Sequence, residues 1–77
     1  NPFNPFTQIS YYVSKATHVE ISVYDISGRL AETLVSGLKD RGSHAIIWDA
    51  SHQSSGVYFV KITANEFSDT QKVILTK

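Results

Sequence analysis

Apolar and polar residues alternate along this chain in short runs that recur roughly every ten residues. Ile9, Tyr11 and Val13 alternate with Gln8, Ser10 and Tyr12, and Val19, Ile21 and Val23 alternate with His18, Glu20, Ser22 and Tyr24. A period of two sends successive side chains to opposite faces of a pleated strand, so each run predicts a strand with one wet face. A third run, Arg29 to Val35, carries Leu30 and Leu34 on one side of the pleat. A fourth, Ser43 to Trp48, puts Ile46 and Trp48 on one face and Ala45 and Ile47 on the other. The fifth, Val57 to Thr63, is apolar on both faces until Lys61, which suits a central strand. The last, Thr70 to Thr76, sets Val73 and Leu75 against Lys72, Ile74 and Thr76. No segment shows a helical period, and six strands, or seven if the N-terminal segment pairs, predict a single all-β sandwich or barrel over residues 1–77.

The residues between the runs are turn formers. Asp25-Ile26-Ser27-Gly28 separates the second and third runs. There Asp25 can accept from turn amides, and Gly28 can take the positive φ of a hairpin closed by a bulge. Asn65-Glu66 fits the tip of a final hairpin, and the connection Ser36 to Gly42, with two glycines and three charges, is expected to be exposed. The opening, Asn1-Pro2-Phe3-Asn4-Pro5-Phe6, repeats Asn-Pro. Proline donates no amide and holds the preceding residue extended, so residues 1–7 are expected to form a strap along the sandwich edge with Phe3 and Phe6 tucked against the core.

Composition narrows the function classes. Seven basic and seven acidic residues give a formal net charge of zero, which removes the usual electrostatic argument for nucleic-acid binding and weakens that for docking on an anionic membrane by charge alone. The chain has no cysteine, so it is no disulfide scaffold. It begins at Asn1 rather than Met, and reads as a piece of a longer polypeptide.

Candidate chemistry is sparse. Nucleophile elbows, phosphate-cradling loops and zinc-helix motifs are missing, and Asp25, Asp40, Asp49 and Asp69 lie beside turns, where capping explains them better than acid–base work. His18, His44 and His52 have no short ligand spacing, which reads as surface histidines rather than a metal site. No cofactor is implied. One Trp, four Tyr and four Phe are read mainly as core, with Tyr12, Tyr24 and Phe59 as the exposed exceptions. A sugar-binding platform would use Tyr12 and Phe59.

Five segments together carry a resemblance. Asn1-Pro2-Phe3-Asn4-Pro5-Phe6-Thr7, Val23 through Arg29, Gly42-Ser43-His44 leading to Trp48-Asp49-Ala50, Ser55-Gly56-Val57-Tyr58-Phe59 and Lys72 through Lys77 resemble, in order and spacing, the C-terminal sorting domains of bacterial type IX secretion. Phe6 stands where that family usually has a small polar residue. The Ig-like domain of the flagellar hook-capping protein is a related pattern.

The resemblance implies an Ig-like or fibronectin-III-like antiparallel β-sandwich with no catalytic activity, forming the C-terminal module of a larger secreted or surface protein. It implies recognition of the folded domain by the outer-membrane translocon, after passage through the periplasm. In many members a sortase-like cysteine peptidase then cuts near the domain start and anchors the cargo. Gly56, Tyr58, Lys72 and Lys77 carry over as recognition residues, the last strand being expected at a sheet edge. Asn1, Pro2, Asn4, Pro5, Asp25, Gly28, Arg29, Trp48 and Asp49 carry over as architecture, with Arg29 able to pair with Asp25 or Asp49. The alternatives are a structural spacer, a carbohydrate-binding module and a hook-cap-like assembly domain.

Overall fold

Alternation along the runs decides how the chain folds. The computed structural model describes residues 2–3, 5–65 and 67–76, and its elements are seven strands: β1 (Pro2–Phe3), β2 (Phe6–Val13), β3 (Thr17–Asp25), β4 (Leu30–Lys39), β5 (Gly42–Asp49), β6 (Gly56–Ala64) and β7 (Phe67–Leu75). A five-stranded sheet has the order β1-β7-β6-β3-β4, and a two-stranded sheet pairs β2 with β5. All pairings are antiparallel except that of β1 with β7. The result is the expected all-β sandwich, with β6 in the middle of its sheet as its two-sided apolar pattern required.

The core is the inward half of each run. Ile9 and Val13 of β2, Val19, Ile21 and Val23 of β3, Trp48 of β5, Tyr58, Val60 and Ile62 of β6, and Val73 and Leu75 of β7 are buried together. Trp48 is the largest fully buried side chain.

Three expectations are corrected, and one lies outside the described residues. Phe6 is 57% exposed rather than tucked inward, because it shares a strand with buried Ile9 and stands an odd number of residues away. Phe3 pairs through its backbone, and its side chain lies outside the described residues. The connection from Ser36 to Gly42 is mostly strand. Ser36 stands opposite Glu20, Gly37 opposite Val19 and Lys39 opposite Thr17, so the amides of long β3 find partners and the turn shrinks to Asp40 and Arg41. Leu30 and Leu34 do not share a face, because register shifts fall between Ile21 and Ser22 and between Val23 and Tyr24 of β3. The shifts leave Ala31 and Leu34 of β4 without register partners, so the pleat's phase reverses after Leu30 and Leu34 is itself a bulge residue off the simple alternation. Leu30 is exposed and Leu34 packs half-buried against the core beside buried Val35.

The turns follow their chemistry. Asn65 takes a left-handed φ of 55° at the tip of the β6–β7 hairpin, a conformation that Asn tolerates better than most residues. β7 accordingly begins at Phe67, opposite Ala64, rather than at Thr70.

Candidate functional site

Register brings most of the scattered motif segments to one end of the sandwich, while Gly42 to His44 stand at the other, opposite Tyr11 to Val13. β6 enters the large sheet at Gly56, opposite Leu75, and Tyr58 stands opposite both Val73 and Asp25. Phe59 stands opposite Lys72 and Tyr24. On the far side of β7, Pro2 pairs with Ile74 and Phe3 with Leu75, in parallel. In the small sheet Phe6 stands opposite Asp49, and the Ala50 amide donates to the Pro5 carbonyl at 2.9 Å. The opening strap, the β3–β4 hairpin, the end of β5, the start of β6 and the end of β7 therefore form one contiguous structure.

Trp48 and Tyr58 hold this end together. Their rings meet edge to face at 5.4 Å between centroids, a favourable arrangement for aromatic quadrupoles. The Trp48 indole N–H donates to Glu32 Oε1 at 3.1 Å, which ties β5 to β4 across the two sheets. The Tyr58 hydroxyl donates to the Ser54 carbonyl at 2.6 Å and fixes the loop that leads into β6. Tyr58 is buried, so its ring is turned into the core and helps set the position of the β6 entrance. Gly56 enters the strand with φ of 155°, at the border of the region that side chains avoid.

The β3–β4 hairpin is organised by one carboxylate. Asp25 Oδ1 accepts from the Ser27 amide at 2.9 Å, the Ser27 hydroxyl at 2.6 Å and the Arg29 amide at 3.0 Å. Gly28, with φ of 88°, donates its amide to the Asp25 carbonyl, and the Asp25 amide donates to the Arg29 carbonyl. Arg29 pairs with Asp25 and not Asp49, at 3.7 Å from Nε to Oδ2, in an exposed contact of small energetic weight. Asp49 caps its own turn by accepting from the Ser51 amide at 3.0 Å.

These hydrogen bonds, the Ser27 hydroxyl first and the Arg29 amide next, hold the Asp25 carboxyl below the usual carboxylate range. A lowered folded-state pKa means stability that is present above the unfolded value of about 4 and lost as pH falls through the folded value. The thermal midpoints of the native chain and of Asp25→Asn are thus expected to converge between neutral pH and about pH 2. A gap that stays constant across that series would remove the carboxylate from this role.

Lys72 is exposed on the outer face of the large sheet, beside half-buried Phe59. β7 is an edge strand only in part, because β1 covers its end at Ile74 and Leu75. Asn1, Asn4 and Lys77 lie outside the described residues. Tyr12 is 63% exposed, but it points outward from the small sheet while Phe59 points outward from the large one. The two rings thus face opposite sides of the sandwich and form no common sugar-stacking row. Among the described residues no three His, Asp, Glu or Cys side chains gather as metal ligands. His44 instead stacks on Tyr11 at 5.3 Å between centroids, and its Nε2 lies 2.7 Å from the Asp40 carbonyl.

The model of the secretion system C-terminal sorting domain matches residues 1–76. The chain belongs to this family. It is a sorting domain of type IX secretion, the kind of signal that directs its protein to the cell surface or the medium. No curated protein matches the chain. Among solved structures, an uncharacterized protein from Bacillus anthracis str. Ames, determined at 1.4 Å, superposes with a TM-score of 0.73 at 15% identity, covering 99% of this sorting domain and 75% of that chain. At that identity the likeness concerns the fold alone.

Sequence reasoning reached the motif residues of the sorting domain one by one but missed their common location and two of their supports. Glu32 carried no signal as the partner of Trp48. Ser54 likewise carried no signal as the acceptor for Tyr58, although a Tyr four residues on is the spacing of a hydroxyl that reaches back to the backbone.

Proposed function

We propose that the outer-membrane translocon reads this domain as a folded object in the periplasm, at the end of the large sheet where Gly56, Lys72 and the β1–β7 pair meet. The domain itself is non-catalytic, and the cargo it accompanies supplies any activity. Lys77, two residues beyond the end of β7 in sequence, is assigned to the same contact, and a sortase-like peptidase acting near Asn1 would release or anchor the cargo. The observation that supports this reading is the convergence at one end of the fold of the described residues of four of the family's segments and of the Trp48-Asp49-Ala50 end of the fifth; Gly42 to His44 lie at the other end of β5. A linear reading of the last strand fits less well, since Val73 and Leu75 are core residues and can be read side by side only by unfolding.

The test is to fuse residues 1–77 to the C-terminus of a periplasmically exported fluorescent reporter in a host with a type IX system. The expected result is reporter at the surface or in the medium. A Lys72→Glu, Lys77→Glu pair is expected to lower export by about tenfold while leaving the melting curve unchanged. Reporter held in the periplasm by a folded native domain would end the sorting reading. Full export of the double variant would remove the two lysines from it.

A further inference from the structure

The two sheets differ in width. At a spacing of about 4.8 Å, five strands span roughly 19 Å between outermost axes and two span roughly 5 Å. The small sheet therefore leaves part of the large sheet's inner face bare. On the β4 side the gap is closed by the Trp48–Glu32 hydrogen bond. On the β7 side it is open. Phe67, Asp69 and Gln71 have the same pleat phase as buried Val73 and Leu75, and stand opposite Ala64, Ile62 and Val60, yet all three are exposed, Phe67 to 59%. A groove of about 230 Å³ runs between them and β2, whose outer edge pairs with no strand among the described residues.

We propose that this groove accepts an extended peptide strand from a partner protein, which adds to the free edge of β2 and makes the small sheet three-stranded. The bare edge supplies backbone donors and acceptors at every second residue, as strand addition needs. The floor sets the side-chain pattern. Ile62, Ala64 and Phe67 offer an apolar seat, and Asp69 offers a carboxylate one pleat further along β7, so the incoming strand carries an apolar residue and, two positions away, a Lys or Arg. Tyr12, on the rim, closes over the backbone of the added strand, and Lys15 stands at the mouth beyond the apolar seat. This inference does not depend on the sorting reading: it needs no translocon, and failure of either test leaves the other result intact.

The experiment titrates the 77-residue chain with a nine-residue capped peptide, Thr-Leu-Thr-Lys-Thr-Leu-Thr-Lys-Thr, and with its analogue carrying Glu for Lys, following backbone amide shifts by NMR. The expected result is saturable binding of the lysine peptide with shifts along β2 and at Phe67 to Gln71. Asp69→Lys, an exposed change on an edge strand, is expected to weaken the lysine peptide by about threefold to tenfold and to reverse the preference toward the glutamate peptide. Absence of binding at millimolar peptide, shifts confined to other edges, or an Asp69→Lys variant with unchanged preference would each overturn the proposal. So would self-association of the chain through β2, which would make a second copy the occupant.

Discussion

Trp48→Ala is expected to leave the chain without a cooperative thermal transition at room temperature. Emptying a buried tryptophan site costs about 3–5 kcal/mol, and a domain of this size sits near the lower end of the roughly 5–15 kcal/mol that keeps folded proteins folded. The site has no easy way to collapse. Trp48 comes from the small sheet, meets Tyr58 of the large sheet and bonds Glu32, so its loss removes both a ring contact and a hydrogen bond between the layers. Trp48→Phe keeps most of the volume but strands the half-buried Glu32 carboxylate without its donor, a loss of about 1–3 kcal/mol. That variant is expected to melt cooperatively at a lower temperature. Circular dichroism and one-dimensional proton spectra of the two variants decide the matter. A Trp48→Ala chain melting within a few degrees of the native one would show that the sheets are held together elsewhere.

Deletion of residues 72–77 is the second large effect: the shortened chain is expected to be unfolded, not merely silent as a signal. The cut removes Val73 and Leu75 from the core, each contributing about 1.5–3 kcal/mol by burial. It also strips the partners of Gly56 to Phe59 and the strand on which β1 pairs. Tyr58, which stands opposite Val73, would then face water on one flank. Loss of export by such a truncation accordingly says nothing about recognition, which is why the lysine substitutions carry the functional test. A truncated chain with native-like amide dispersion would show that β7 is a dispensable strap.

Much of this fold could be read in the residues, and the reason is specific. In β2, β3 and β5 the alternation is unbroken, so Ile9, Val13, Val19, Ile21, Val23 and Trp48 point inward as the period of two requires. Asp25 and Gly28 announce their turn because few other residues supply a side-chain acceptor and a positive φ at that spacing. β4 was misread where two bulges reset its phase, and bulges depend on the partner strand rather than on local pattern. Phe6 was misplaced because proline chemistry fixes the backbone of the strap but not the face its neighbours present. The shared location of Gly56, Tyr58, Lys72 and the strap was out of reach for a different reason. It follows from which strands are neighbours, and strand order is set by the packing of the whole chain.

The pairing of β1 with β7 joins residues separated by nearly the entire sequence. On a ribosome the strap is made first and must wait, unpartnered, until the final strand emerges. A polypeptide terminated early by a premature stop or an exhausted message lacks that strand and the core positions it fills. Such a fragment holds almost all of the cargo but no finished module at its end. Under the proposed reading of the folded module, export accepts only products translated through to β7, and the geometry that closes the sheet rejects those cut short before it.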